Sequence, residues 1–230
     1  MTANVSLKLT QLGLNLGESL GVGNLRRILE TARSLDNFVR IDMEGSEYTD
    51  RTLAAYRTLH RDHGFDNVGV VIQSYLYRSE QDVAELVQEG ARVRLCKGAY
   101  QEPPDRAFQL KAQVDANFVK LARCLLGGAA RSEAAPKDGK FPPLPALATH
   151  DGRMIQAARA YAEEAKLPGE RMEFQMLYGI RRELQSALAA QGYPVRVYVP
   201  FGTCWYPYFM RRLAERPANL WFFLTALFRG

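Results

Sequence analysis

Short β-branched runs alternate with longer amphipathic stretches along almost the whole chain, and this alternation most constrains what it can fold into. The runs Val5 to Leu9, Phe38 to Met43, Val68 to Ser74, Val93 to Lys97, Leu144 to His150, Glu173 to Tyr178 and Val195 to Pro200 read as strands. Between most of them, Leu20 to Ser34, Tyr48 to Arg61, Glu80 to Glu89, Val114 to Leu126, Gly152 to Ala165 and Arg181 to Ala190 read as helices, with Gly or Pro near several ends. Strict alternation implies parallel strands, because parallel neighbours need a crossover connection between them.

Such a series either closes as an eight-stranded barrel or stays open as a doubly wound sheet, and the polar residues choose between the two. Lys8, Asp42, Gln73, Arg94, Lys97, Thr149, His150, Gln175 and Tyr198 fall at or just beyond the carboxyl half of a strand and are spread over every strand. Barrels collect their chemistry in that way, whereas an open sheet concentrates it at one switch point behind a glycine fingerprint. Neither GxGxxG nor GxxxxGK[ST] is present. The expectation is an α/β fold of the (β/α)8 TIM-barrel type, distorted, with one strand short. The absent first strand is expected upstream of Met1, and an unpaired barrel edge would invite aggregation. Residues 1–230 are expected to form a single barrel domain, with 127–143 a flexible surface loop rich in Ala, Gly and Pro.

Composition excludes several classes. With 47% hydrophobic and 24% charged residues the chain can bury a large core and is neither disordered nor fibrous. The net charge of +5 is spread out, with no basic block interleaved with aromatics, so nucleic acid is not expected as a partner. Cys96, Cys124 and Cys204 are far apart and form no CxxC pair, which fits a reducing, cytoplasmic compartment without a disulfide framework or zinc site. No charged-then-apolar leader is read at the opening residues. The longest apolar run, near Leu220 to Phe228, is too short to span a bilayer, so a soluble or peripheral protein is expected.

Three motifs carry chemistry. In VRLCKGAY, Arg94 and Lys97 end a strand and are followed by Gly98 and Ala99, a small turn that lets backbone approach a flat ligand while two cations face an anionic ring or phosphates. The competing reading, at even weight, is a strand ending in solvated basic residues. In LPALATHDG, Thr149 and His150 end a strand where they can meet a cofactor, although a lone strand-end histidine is more often structural and Asp151 reads as a helix cap. In WYPYFMRRLAE, Tyr208 shares a helical face with Arg211 and Arg212, and Glu215 lies one turn beyond. Paired guanidinium forks suit a carboxylate or phosphate, but local pattern alone favours an exposed helix carrying an ion pair. His60 and His63 in HRDHG lack a third ligand, so no metal site is expected. The serines lack a GxSxG context.

Read in order, VSLKLTQLG, FVRIDMEGS, VVIQSYLYR, VRLCKGAY, ATHD, EFQMLYG, RVYVPFGT and WYPYFMRRLAER resemble the successive strand-end motifs of the proline dehydrogenase family, the small single-function bacterial members most of all. The resemblance runs from about Val5 to the carboxyl terminus, interrupted mainly at 127–143. It implies a distorted β/α barrel that binds FAD without a covalent link and oxidises L-proline to Δ1-pyrroline-5-carboxylate, the first step of proline catabolism to glutamate. Electrons would pass to a membrane quinone, implying peripheral contact with the inner face of the cell membrane. By the same resemblance Lys8, Arg211 and Arg212 would bind the substrate carboxylate, and Tyr100, Leu177, Tyr198 and Tyr208 would wall its ring. Glu215 would pair with the arginines. Asp42 would anchor the site, holding Lys8, and Arg94 would lie by the flavin N5. Met43, Gln73, Lys97, Gly98, Ala99, Thr149, His150 and Gln175 match cofactor-contacting positions.

The chemistry suits these roles. Moving a hydride from the carbon beside the ring nitrogen requires two flat partners held face to face and no strong nucleophile. Two departures stand out: the family's amino-terminal helical region and first strand have no counterpart here, and Cys204 replaces a residue that is usually polar or acidic. The competing readings are an incomplete, inactive barrel fragment, or a Schiff-base barrel enzyme of the aldolase type using Lys8 or Lys97.

Overall fold

The computed structural model of the chain describes residues 3–133 and 140–203. Seven strands form one sheet, β1 (Val5–Leu7), β2 (Val39–Ile41), β3 (Val68–Gln73), β4 (Arg92–Cys96), β5 (Pro145–Ala148), β6 (Glu173–Leu177) and β7 (Val195–Tyr198), and their order in the sheet is their order in the chain. Every register that links β1 through β6 is parallel. Helices α1 (Glu18–Ser34), α2 (Thr49–Arg57), α3 (Ser79–Gln88), α4 (Lys111–Arg131), α5 (Gly152–Glu164) and α6 (Arg182–Ala190) supply the crossovers. A parallel sheet that adds each strand beside the last, without reversal, is the topology of a β/α barrel rather than a doubly wound sheet.

The chain divides into two compact units, 1–197 and 198–230. The helix expected from about Trp205 and its residues Tyr208, Arg211, Arg212 and Glu215 fall outside the described residues, as do Cys204 and the run from Leu220 to Phe228.

Packing follows strand alternation. Val39, Ile41, Val70, Ile72, Val93, Leu95, Leu147, Phe174 and Met176 are buried in one apolar core with Leu25 and Leu29 of α1, Leu53 of α2 and Phe118 and Leu121 of α4. The alternate positions Arg40, Arg94, Glu173 and Gln175 are also buried, which puts the polar set on the opposite, interior face of the sheet.

Two boundaries depart from expectation. The expected β1 stops at Leu7 because Leu9–Leu12 turn into a 3-10 helix, leaving Lys8 as its extended amino-terminal neighbour. Helix α4 continues through Arg131, so the first five residues of the expected 127–143 loop are helical, and residues 134–139 lie outside those described. Its glycines are where the helix touches its neighbours. A Cβ at Gly128 would stand 2.5 Å from Val87 Cγ1 and one at Gly127 3.0 Å from the Tyr161 hydroxyl. Close packing against α3 and α5 thus outweighs the low helix propensity of Gly.

Candidate functional site

The interior of the sheet is open where its side chains are small. Gly69 sits in register with Arg40 and Arg92, and a Cβ there would meet Arg92 O at 2.5 Å and Arg40 Nη1 at 2.6 Å. The missing side chain is the space through which the Arg40 guanidinium crosses. It donates to the carbonyls of Val70 and Arg92, and its ordinary pKa is pushed well down, first by burial and then by the charge of Arg94. Ala146 lies in register between Arg94 and Glu173, so β5 leaves room for Arg94 to reach across it.

Arg94 is only 7% exposed and uses its whole planar fork. Nη1 donates to Asp42 Oδ1 at 2.6 Å, Nη2 donates to Ser6 Oγ at 2.8 Å, and Nε donates to Gln175 Oε1. Residues on or just beyond β1, β2 and β6 therefore converge on one cation of β4. The carboxylate of Asp42 is engaged by Arg94, while Lys8 Nζ approaches the hydroxyl of Tyr100 at 3.4 Å. The structure thus brings Asp42, Arg94 and Gln175 together and, separately, Lys8 and Tyr100.

Gln73 ends β3 with a side chain only 3% exposed, and its Oε1 has no hydrogen-bond partner. A buried acceptor left unmade costs about 1–3 kcal/mol, so this atom marks a place where a donor is wanted. Around it the strand ends are tied tightly. Lys97 Nζ donates to Asp151 Oδ2 at 2.9 Å and to Asp115 Oδ1 at 2.5 Å. Lys111 and Arg153 close the cluster on the same carboxylates. Burial alone would lower the pKa of Lys97, but the hydrogen bonds from Lys97 to Asp115 and Asp151 outweigh it and raise the value. A Schiff-base lysine needs the opposite shift, so the two carboxylates beside Lys97 work against an aldolase-type role.

Gly98 takes φ +108, a conformation that favours glycine, and a Cβ there would stand 2.5 Å from the ring of Tyr75. Its small size therefore already serves the protein, letting the turn lie against Tyr75. Thr149 Oγ1 accepts from the Asp151 amide at 3.1 Å, and Asp151 Oδ1 accepts from Arg153 N at 3.0 Å, the expected cap of α5. His150 Nε2 accepts from the Leu177 amide at 2.9 Å, which leaves the ring proton on Nδ1 when the imidazole is neutral. Met43 is buried with the core, Ala99 is exposed, and Tyr198 closes β7. His60 is structural: its Nδ1 lies 2.8 Å from Phe65 O and its ring stacks on Tyr56.

Sequence reading missed several residues of this site. Ser6, Glu173 and Arg196 lie on interior positions, each two residues from one already singled out, so the period of two was the available signal. Asp115 follows Lys111 by four on α4, a spacing that announces an ion pair without revealing Lys97 as its partner. Glu102 accepts from Ser46 N at 2.7 Å and from the Tyr75 hydroxyl at 3.3 Å, strapping the loop that bears Tyr100 to the ends of β2 and β3. No local pattern marks it.

A parallel β/α sheet with convergent cations at the carboxyl ends of its strands defines the class as a barrel enzyme. A family model described as proline dehydrogenase matches residues 1–223, and the chain belongs to that family of oxidoreductases. Proline dehydrogenase 1 of Bacillus subtilis subsp. natto is 41% identical over 229 residues, covering 100% of this chain and 71% of that protein. Proline dehydrogenase of Deinococcus radiodurans is 42% identical over 229 residues, with 98% and 70% covered. Among solved structures, proline utilization A from Bdellovibrio bacteriovorus, inactivated by N-propargylglycine, superposes with a TM-score of 0.74 at 31% identity. That match covers 87% of this chain and 22% of the larger protein, so the chain spans about a fifth of it.

Proposed function

We propose that this chain binds FAD and oxidises L-proline to Δ1-pyrroline-5-carboxylate, with a membrane quinone taking the electrons. The observation that carries the reading is Arg94, a buried cation held at the mouth of the sheet by Ser6, Asp42 and Gln175, in a chain of the proline dehydrogenase family. Its surroundings fit a flavin. The unpaired Gln73 Oε1 offers an acceptor to a ring N–H, and Arg94 offers positive charge to a ring that becomes anionic. Lys97, Gly98, Ala99, Met43, Thr149, His150 and Gln175, at or just beyond the strand ends, are the further residues that the family resemblance assigns to the cofactor.

When bound, the flavin would supply hydride acceptance. The protein's own share is orientation. Lys8, Arg211 and Arg212 would hold the substrate carboxylate, with Glu215 countering the arginines. Tyr100, Leu177, Tyr198 and Tyr208 would exclude water from its ring. Asp42 would keep Arg94 in place rather than transfer a proton. No helix among the described residues is long and apolar enough to cross a membrane. A cytoplasmic protein that touches the inner face of the membrane to meet the quinone is the accompanying proposal for location.

The purified chain should carry flavin absorbance and reduce a dye in the presence of proline, and N-propargylglycine should abolish the turnover. Absence of flavin, or of proline-dependent reduction from a flavin-loaded chain, overturns the reading. Arg211→Met and Arg212→Met should each raise the KM for proline about ten- to a hundredfold with flavin retained, as expected for a lost charged hydrogen bond.

A further inference from the structure

Behind Arg94 the interior holds a second group of charges that hydride transfer does not itself require. Glu173 is 3% exposed at the start of β6, and Arg196 of β7 grips both its oxygens at 2.8 to 3.1 Å. Between this pair and Arg94 stands Gln175, whose Nε2 donates to Glu173 Oε1 while its Oε1 accepts from Arg94 Nε. Side chains two apart on one strand share a face, which is how Glu173 and Gln175 come into line.

A carboxamide is nearly symmetric in shape and opposite in hydrogen bonding at its two ends. Turned over, Gln175 would present an NH2 group to a guanidinium that can only donate, and the Arg94 bond would be lost. A carboxylate only accepts, so Glu173 selects one of the two orientations. Arg196 occupies both oxygens of Glu173, which keeps that carboxylate from swinging toward the buried guanidinium of Arg40.

We propose that Glu173, held by Arg196, is a positioning residue that locks the Gln175 carboxamide with its oxygen on Arg94 and thereby fixes the guanidinium at the mouth of the barrel. The proposal rests on the reading of Arg94 as the cation beside the flavin.

The test is a double-mutant cycle on the full chain with Arg94→Met, Glu173→Gln and both together. The first readout is the Arg94 Nε–H resonance of the flavin-free protein, assigned by its loss in Arg94→Met. The second is the midpoint potential of bound FAD. In Glu173→Gln the resonance should shift or broaden. The equilibrium constant for flavin reduction should fall about three- to tenfold with Arg94 present and less than about twofold in the Arg94→Met background, since coupled residues are not additive. An unmoved resonance, or a change in potential of equal size in both backgrounds, overturns the proposal. Should Glu173→Gln fail to fold, the paired replacement Glu173→Met with Arg196→Met removes both charges at similar volume, a change that buried ion pairs often tolerate. It carries the same predictions, and failure of both to fold overturns the positioning role in favour of a purely structural one. If wild-type chain takes up no FAD, the proposed function fails while the resonance still decides the role of Glu173.

Discussion

Two networks of fixed charge come within three residues of each other along the chain at Arg94 and Lys97, and they answer to different physics. The inner one joins Asp42, Arg94, Gln175, Glu173 and Arg196 across the interior, and its arginines have side-chain exposures of only 9% and 16%. The rim network joins Lys97, Asp115, Asp151, Lys111 and Arg153 at the end of β4 and the starts of α4 and α5, and its outer cations are 68% and 70% exposed. In the inner network the bonds run between specific, largely buried partners, where water competes little. At the rim Asp115 is served by three cations, so any one is redundant and all are partly screened. The inner network therefore fixes a geometry, and the rim network mainly adds stability to the joints that carry it.

The sharpest break between the two should come from Arg94→Met. It takes the Arg94 guanidinium from a largely buried Asp42 and frees the Gln175 oxygen. Breaking a buried pair from one side costs on the order of 3–5 kcal/mol. Urea unfolding of the flavin-free chain should register a loss of that size, and flavin reduction should become less favourable. A loss below about 1 kcal/mol, the range of an exposed pair, would place Arg94 with the rim.

Gly69→Ala should come next, although it removes no charge. Its Cβ would press on Arg92 O, Arg40 Nη1 and the Phe38 ring within 2.5 to 2.7 Å, and two of those three groups cannot yield without moving backbone or a fully buried ring. Overpacking of this kind costs roughly 1–3 kcal/mol. Thermal unfolding measures it, and an unchanged midpoint would mean that the interior around Arg40 is looser than its contacts imply.

The same contrast explains how much of this molecule was legible in sequence. The strand series was readable because burial on both faces demands apolar runs, and the polar interruptions at Asp42, Gln73, Arg94 and Gln175 stood out against them. The interior layer one step deeper, Ser6, Arg40 and Glu173, obeys the same period of two but sits nearer the amino ends of the strands, where barrel chemistry is not sought. Long-range joints left no local trace. Glu102 is an ordinary loop acid until the fold brings Ser46 and Tyr75 to it. Gly127 and Gly128 signalled a turn, and only contact with Tyr161 and Val87 makes them helical.

At the rim, Asp151 does two separable things, pairing with Lys97 and capping α5. Asp151→Ala removes both and should cost about 1–2 kcal/mol, whereas Asp151→Asn keeps a good cap and should cost about half as much. Hydrogen bonding from Lys97 holds the Asp151 carboxyl well below the usual carboxylate range, against the opposing effect of partial burial. Its stabilisation is therefore complete above the ordinary aspartate value of about 4 and is lost as pH falls below it. The stability difference between wild type and Asp151→Asn should be flat from neutral pH down to about 5 and should shrink in more acid solution. A difference that grows on acidification would contradict the pairing with Lys97.

The smallest effect belongs to Lys111→Ala, and its smallness is what completes the contrast. Lys111 bonds Asp115 from a position four residues away on the same helix, but its side chain is 68% exposed and Lys97 and Arg153 remain on that carboxylate after it is gone. An exposed pair at this spacing is worth about 0.3–0.5 kcal/mol, and salt should erase most of it, since the screening length falls to about 3 Å at 1 M. Urea unfolding at low and at 1 M salt should therefore separate wild type from Lys111→Ala only in the first condition. The Arg94→Met difference should survive in both, because a pair shut away from solvent is also shut away from ions. If the two variants lost their differences together, the distinction between an inner network that fixes geometry and a rim that adds stability would collapse.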